Sequence, residues 1–179
     1  MAAQQIVDLA WAGQHEHAIA AATAALAHKS VETDERMTLL DLRSESYIAV
    51  GDLKRAVADA QSMKALAKRE AGVALLARAL CREAFVQSRL GDQRAAIATA
   101  AAALKAARRS RQPQLEALSL WRLAGAQIAG RIDPGAAVAN AKRAADVFAC
   151  HRIARRSIAL GRGRRNLRRC HSRHAHAGV

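Results

Sequence analysis

Aromatic side chains are scarce in this chain of 179 residues, since Phe, Trp and Tyr together make up 3% of it. Large β-sheets favour aromatic and β-branched residues, so this composition argues against a sheet protein. Apolar residues nevertheless reach 51%, which excludes a disordered chain with too little surface to bury. Alanine carries much of that apolar content, and alanine has the highest helix propensity. The sequence therefore predicts an all-α fold.

Cysteine is also rare: Cys81, Cys150 and Cys170 form an odd number at spacings that suggest no disulfide framework. The N-terminus lacks the basic and apolar regions of a signal peptide. No uncharged apolar run of membrane-spanning length occurs. We therefore expect a cytoplasmic protein that does not contact a membrane.

Acidic residues are absent from the last 29 residues, which contain nine Arg and carry a net charge of +9. Residues 1–150 hold 20 Lys and Arg against 15 Asp and Glu, a net charge of +5. The high isoelectric point thus belongs mainly to the C-terminal segment. We divide the chain into a domain at 1–150 and a basic, poorly ordered tail at 151–179.

A repeated segment is the main feature of residues 1–150. Each copy has a Gly, a short polar stretch and then an Ala followed by a β-branched residue. The marker alanines are Ala18, Ala56, Ala96 and Ala137, so the units are 38, 40 and 41 residues apart. Gly tolerates the left-handed conformation that ends a helix, and Asp52, Asp92 and Asp133-Pro134 can begin the next. The pattern predicts eight helices, at about 3–12, 16–28, 33–50, 53–67, 71–90, 93–108, 113–130 and 134–149.

The unit resembles the tetratricopeptide repeat, with its best match at Trp121-x-x-Ala124-Gly125-x-x-Ile128. The corresponding residues in the preceding units are Leu40, Ser44 and Tyr47, then Leu80, Ala84 and Gln87. The unit exceeds the usual length of about 34 residues. In this it is similar to the helical arrays of bacterial transcriptional activators and nucleotide-cyclase-linked regulators.

The resemblance implies a right-handed α-solenoid of about four antiparallel helical hairpins. It also implies a non-catalytic scaffold that binds a protein or peptide, as a fragment of a larger bacterial signalling or transcriptional regulator. By analogy, the first helices of the hairpins line the binding groove, with an apolar centre near Phe85. The predicted groove residues are Asp41, Glu45, Ile48, Arg78, Cys81, Phe85, Arg89, Ser119 and Arg122. The alternative is that these charges are merely solvated helix faces.

No motif for catalysis or for cofactor binding occurs in the chain. The phosphate-binding loop, the dinucleotide fingerprint, the nucleophile elbow and the HExxH zinc motif are all absent. We therefore expect no enzyme activity, no cofactor and no metal in the repeat domain.

Three hypotheses remain open for residues 151–179. The arginines could neutralise the phosphates of a nucleic acid, although no stacking aromatic accompanies them. Cys170, His171, His174 and His176 could bind zinc, but no paired-Cys motif is present. A segment rich in Arg, Ala, Gly and His without acids is also typical of a GC-rich gene translated out of frame. The encoding nucleotides would test this last hypothesis.

Deletion of residues 151–179 tests whether the tail packs on the repeats. A solenoid end exposes an apolar face unless a polar capping helix covers it, and Val138, Ala141, Ala145 and Phe148 form such a face. An Arg-rich tail covers this face poorly, so we expect a frayed or aggregation-prone end and a melting temperature that the deletion hardly changes. A large drop would show that the tail is packed, and salt-dependent DNA binding lost on deletion would favour the nucleic-acid hypothesis.

Overall fold

The computed structural model describes residues 2–28 and 30–159, and side chains within residues 3–28 and 30–150. This part of the chain is helical, with no strand, as the composition predicts. The helices are α1 (Ala2–Trp11), α2 (His15–Ala27), α3 (Thr33–Ala49), α4 (Leu53–Arg69), α5 (Val73–Arg89), α6 (Gln93–Ser110), α7 (Pro113–Ala129) and α8 (Pro134–Ala159). None of these helices is long and apolar enough to cross a membrane.

The helices pack in a regular order. Each helix contacts the next one along the chain. In addition, α1 contacts α3, α3 contacts α5, and α5 contacts α7. Within the described residues, no even-numbered helix contacts another even-numbered helix. The odd-numbered helices therefore form a continuous row, and α2, α4 and α6 each contact two consecutive members of it, whereas α8 contacts only α7.

Alanine makes the close packing of this row possible. The four marker alanines, Ala18, Ala56, Ala96 and Ala137, are all 0% exposed. Small residues also fill the interface of α5 with α6, where Ala77, Ala106 and Ala107 form one apolar cluster. A small side chain lets two helix backbones approach closely. Larger apolar residues are concentrated around α3 and α4, in clusters that include Met37, Leu40, Met63 and Leu66.

Glycine ends the first helix in each of the first three helix pairs, and aspartate caps the second helix in the second and third pairs. Gly13, Gly51 and Gly91 have positive φ values of 74°, 82° and 87°. This left-handed conformation lets the following amide donate back to the helix, as in Asp52 N–H to the Tyr47 carbonyl at 2.9 Å. The side chain of Asp52 then accepts from the Arg55 amide at 3.0 Å, which caps α4. Asp92 and Asp133 cap α6 and α8 in the same way, as predicted.

The fourth turn differs from the sequence alignment by one residue. Gly130 is not left-handed but has φ −81°, and Arg131 takes the left-handed conformation with φ 52°. The Ile132 amide donates to the Gln127 carbonyl at 2.9 Å, whereas the equivalent bond from Asp92 ends at Gln87. The structurally equivalent residues are therefore Tyr47, Gln87 and Gln127, each 40 residues after the last (127 − 87 = 87 − 47).

This register corrects the assignment of the best family match. Trp121, Gly125 and Ile128 were expected to be the counterparts of Leu40, Ser44 and Tyr47. Instead Trp121 and Ile128 are 53% and 61% exposed, and the buried counterparts are Leu120, Ala124 and Gln127. Gly130 was expected to take the left-handed conformation because glycine adopts it most easily, but Arg131 takes it instead.

The last helix extends beyond its predicted end. It continues to Ala159, ten residues past the expected residue 149 and nine into the proposed tail. The run His151–Ala159 contains no Gly or Pro that would end a helix. Residues 160–179 lie outside the described part of the chain, so the structure does not test the expectation that they are poorly ordered.

Substitution of Gly91 tests the role of the left-handed turns. A Cβ at Gly91 would meet no atom within 4 Å, so Gly91→Ala adds only the backbone cost of a left-handed alanine, about 1 kcal/mol. Gly135→Ala is the matched control, since Gly135 lies in the first turn of α8 without positive φ. Urea unfolding should show a loss of stability for Gly91→Ala and none for Gly135→Ala. Equal effects would contradict this account of the turn.

Candidate binding site on the odd-numbered helices

Arg82 on α5 is held between two carboxylates of α3. Its Nε donates to Asp41 Oδ1 at 2.6 Å, and its Nη2 donates to Glu45 Oε2 at 3.0 Å. Arg82 is only 3% exposed, whereas the side chains of Asp41 and Glu45 are 34% and 57% exposed. The two carboxylates thus lie between the buried guanidinium of Arg82 and the solvent.

Arg122 on α7 occupies the same repeat position as Arg82, since the two are 40 residues apart (122 − 82). Each arginine reaches back to the preceding odd-numbered helix. The residues equivalent to Asp41 and Glu45 are Cys81 and Phe85, again 40 residues later. Arg122 therefore meets a thiol and a ring instead of two acids, and its guanidinium carbon lies 4.0 Å from the centroid of the Phe85 ring.

The two arginines differ in electrostatic balance. Burial by itself lowers the pKa of Arg82, but the charges of Asp41 and Glu45 and their hydrogen bonds outweigh burial and raise it. The pKa of Arg122 is lowered, first by burial and then by the positive charge of Arg82. Arg122 makes no ion pair within the described residues, and its buried Nε has no hydrogen-bond partner. Arg122 is thus a desolvated cation without a counter-charge in contact.

Cys81 lies in the interface between α5 and α7. Its Sγ is 3.2 Å from Ser119 Oγ, and the residue is 2% exposed. Burial raises the pKa of the Cys81 thiol, against the opposing effects of the Ser119 hydrogen bond and Arg122. A protonated, enclosed thiol is a poor nucleophile, so its surroundings favour a packing role.

The structure brings together four of the predicted groove residues: Asp41, Glu45, Phe85 and Arg122. Together with Arg82 we call them the odd-helix cluster. Sequence analysis missed Arg82, although it lies one turn after Arg78 and one turn before Phe85 on the same helix stripe. That stripe was the signal that could have identified it.

Of the other predicted residues, Cys81 and Ser119 lie in the α5–α7 interface described above, and three lie outside the cluster. Ile48 does not line the site, because it is 6% exposed and packs with Tyr47 and Val86 in the core. Arg78 donates to Asp34 at 2.8 Å and to Thr38 at 2.9 Å, so it joins α5 to the start of α3. Arg89 is exposed in the last turn of α5, where its charge complements the helix dipole.

Comparison with protein-family models, with curated proteins and with solved structures finds no match to this chain. The tetratricopeptide resemblance therefore stays a prediction from the repeat.

The described residues contain no group of three His, Cys, Asp or Glu side chains that could hold a metal ion. The zinc hypothesis concerns residues outside this range. So does the nucleic-acid hypothesis, because no arginine side chain after Cys150 is described.

A separate cavity of about 470 Å³ lies beside the α4–α5 turn, away from the odd-helix cluster. Its lining is mainly apolar, from residues that include Ala67, Val73 and Leu76, with Lys64, Lys68 and Arg109 as its charged members. Lys64 is paired with Glu83 at 2.8 Å.

The same substitution at Arg82 and Arg122 should have different effects. Arg82→Met leaves Asp41 and Glu45 without their partner, and the loss should be about 2–3 kcal/mol, below that of a fully buried pair because both acids reach solvent. Arg122→Met removes an uncompensated charge and keeps an apolar contact with Phe85, so stability should be unchanged or rise by up to about 1 kcal/mol. Urea unfolding of both variants measures the difference. A loss at Arg122 equal to that at Arg82 would show that Arg122 is not electrostatically unfavourable.

Proposed function

We propose that the chain is a right-handed α-solenoid of four antiparallel helical hairpins, of the tetratricopeptide type, that binds a peptide along its odd-numbered helices. The continuous row from α1 to α7 supports this architecture, as does the absence of contacts between even-numbered helices within the described residues. Repeats that contact only their neighbours present an extended surface suited to an extended ligand. The protein thus acts as a non-catalytic scaffold, in the signalling or transcriptional setting that the resemblance implies.

The unbalanced charge of Arg122 is the observation that carries this proposal. A natural chain tolerates a destabilising group where function requires it. A guanidinium that is partly desolvated, oriented by an aromatic ring and not ion-paired can bind a carboxylate more strongly than a solvated arginine can. The Nε of Arg122 already lacks a hydrogen-bond partner. We infer that a carboxylate of the peptide binds the guanidinium of Arg122, a residue that is only partly buried.

The neighbouring contacts refine the predicted ligand. Unpaired carboxylates at Asp41 and Glu45 would attract basic groups of a ligand. In the folded chain both acids are already bonded to Arg82, which makes them less available to a basic group of the ligand. The ligand is therefore an acidic peptide with an apolar residue beside its carboxylate, since Phe85 is only half-buried and borders Arg122.

Selection from a random peptide library tests the proposal without a known partner. Phage-displayed linear peptides are panned against the full chain, and enriched sequences are synthesised for binding by fluorescence anisotropy. We expect acidic peptides, with affinity falling at least about tenfold (1.4 kcal/mol) in Arg122→Gln. Arg94→Gln on α6 is the control, because Arg94 is exposed on an even-numbered helix. The absence of enrichment, or equal binding by Arg122→Gln, would reject the proposal.

A further inference from the structure

The cavity beside the α4–α5 turn, of about 470 Å³, lies between the end of α4, the start of α5 and Arg109 near the end of α6. Its lining is mainly apolar, and no acid from the described residues takes part in it. Of its three cations, only Lys64 forms an ion pair within the described residues, with Glu83 at 2.8 Å. Lys68 and Arg109 therefore border an apolar space without a counter-charge.

Small residues in the α4–α5 turn leave room for this cavity. Ala71 and Gly72 both line it. In the α6–α7 turn, the residues 40 positions later are Arg111 and Gln112. The two turns correspond in structure, since Ala71 and Arg111 are both left-handed, with φ values of 48° and 54°. The α4–α5 turn thus carries two small residues where the next such turn carries two long ones.

The counterpart of Lys68 in the next unit is neutralised by a carboxylate. That counterpart is Arg108, whose Nε donates to Glu116 Oε1 at 3.1 Å. The residue equivalent to Glu116 in the α4–α5 unit is Leu76, which lines the cavity (108 − 68 = 116 − 76). The α4–α5 unit thus keeps the cation and has an apolar residue in place of its carboxylate.

Arg109 shows the same difference when it is compared with the preceding unit. Its counterpart is Arg69, 40 residues earlier, which pairs with the adjacent Glu70 at 3.0 Å. The residue after Arg109 is Ser110, whose hydroxyl donates to the Ala107 carbonyl at 2.7 Å. Both unpaired cations of the cavity therefore lack an acid that their repeat counterparts contact.

We propose that this cavity binds an amphipathic monocarboxylate, with its apolar body against Val73 and Leu76 and its carboxylate between Lys68 and Arg109. The volume is in the range of small-molecule sites, and a few polar groups on an apolar wall are their usual lining. Both cations are exposed, so they orient the ligand and contribute modestly to affinity, whereas burial of the apolar body contributes most of it. This ligand and the peptide bind at separate places, because the cavity lies away from the odd-helix cluster.

Titration of the full chain with decanoate, below its micelle concentration, is the primary test by isothermal calorimetry. We expect saturable binding of one decanoate per chain. Decanol and decyltrimethylammonium have the same apolar chain without the carboxylate, and their dissociation constants should be higher by at least about fivefold. Octanoate is shorter by two methylenes, and its dissociation constant should be about tenfold higher than that of decanoate.

A pair of double variants isolates the contribution of the two cations. Lys68→Gln combined with Arg109→Gln should raise the dissociation constant of decanoate about fivefold and leave that of decanol unchanged. Lys54→Gln combined with Lys105→Gln is the matched control. Its residues are exposed on the same two helices and lie outside the cavity, and the change in net charge is identical. The control should bind decanoate as the unmodified chain does.

Two further variants alter the cavity itself. Leu76→Glu introduces the acid that α7 carries at this position, so it should pair with Lys68 and abolish decanoate binding. Ala65→Phe fills the space from an exposed position of α4 and should weaken decanoate and decanol alike. Gln61→Phe is its control, because Gln61 is exposed one turn earlier and does not line the cavity. Circular dichroism confirms that each variant is folded.

The outcomes separate this site from other apolar surfaces and from the peptide site. The absence of saturable decanoate binding would overturn the proposal. So would equal binding of decanol and decanoate, or binding that Ala65→Phe leaves unchanged, since the ligand would then lie on another surface such as that around Trp121. Arg122→Gln should not change decanoate binding, so failure of the peptide proposal leaves this one standing, and the reverse also holds.

Discussion

The hydrogen-bonded turn that closes each odd-numbered helix is the constraint on which the rest of the structure depends. Bonds from Asp52, Asp92 and Ile132 back to Tyr47, Gln87 and Gln127 set a 40-residue register from α3 to α5 and from α5 to α7. With the register fixed, the same position on each helix faces the same position on its neighbour. The role of a side chain then depends on its position in the repeat and on which residues the preceding unit places next to it.

Arg82 and Arg122 show that two side chains at the same repeat position can have different chemical surroundings. Both arginines reach back to equivalent positions, but one meets Asp41 and Glu45 while the other lies over Phe85. The first pair of helices is joined by buried charge, and the second by packing and a cation–π contact. The repeat thus places an arginine paired with two carboxylates and an arginine without an ion pair one unit apart.

The sequence was sufficient to predict the helices and their caps, because alanine content, glycine turns and aspartate caps act locally. It was insufficient where two local signals competed or where a partner came from another helix. Gly130 favoured an alignment that was one residue out, since nothing local indicated that Arg131 would adopt the left-handed conformation. Arg82 was missed, and Ile48 was assigned to the site, because burial depends on α5 packing against α3.

The α7–α8 turn holds two non-glycine residues at positive φ, whereas the α4–α5 and α6–α7 turns hold one each, Ala71 and Arg111. Arg131 and Asp133 have φ values of 52° and 48°, where the second and third pairs each place a single glycine. Holding two non-glycine residues there costs about 1 kcal/mol or more apiece. The α7–α8 connection therefore holds backbone strain. We expect hydrogen exchange to detect local opening there before it does so in the α3–α5 region. Local unfolding is thus expected to begin in the α7–α8 pair and to proceed toward α1.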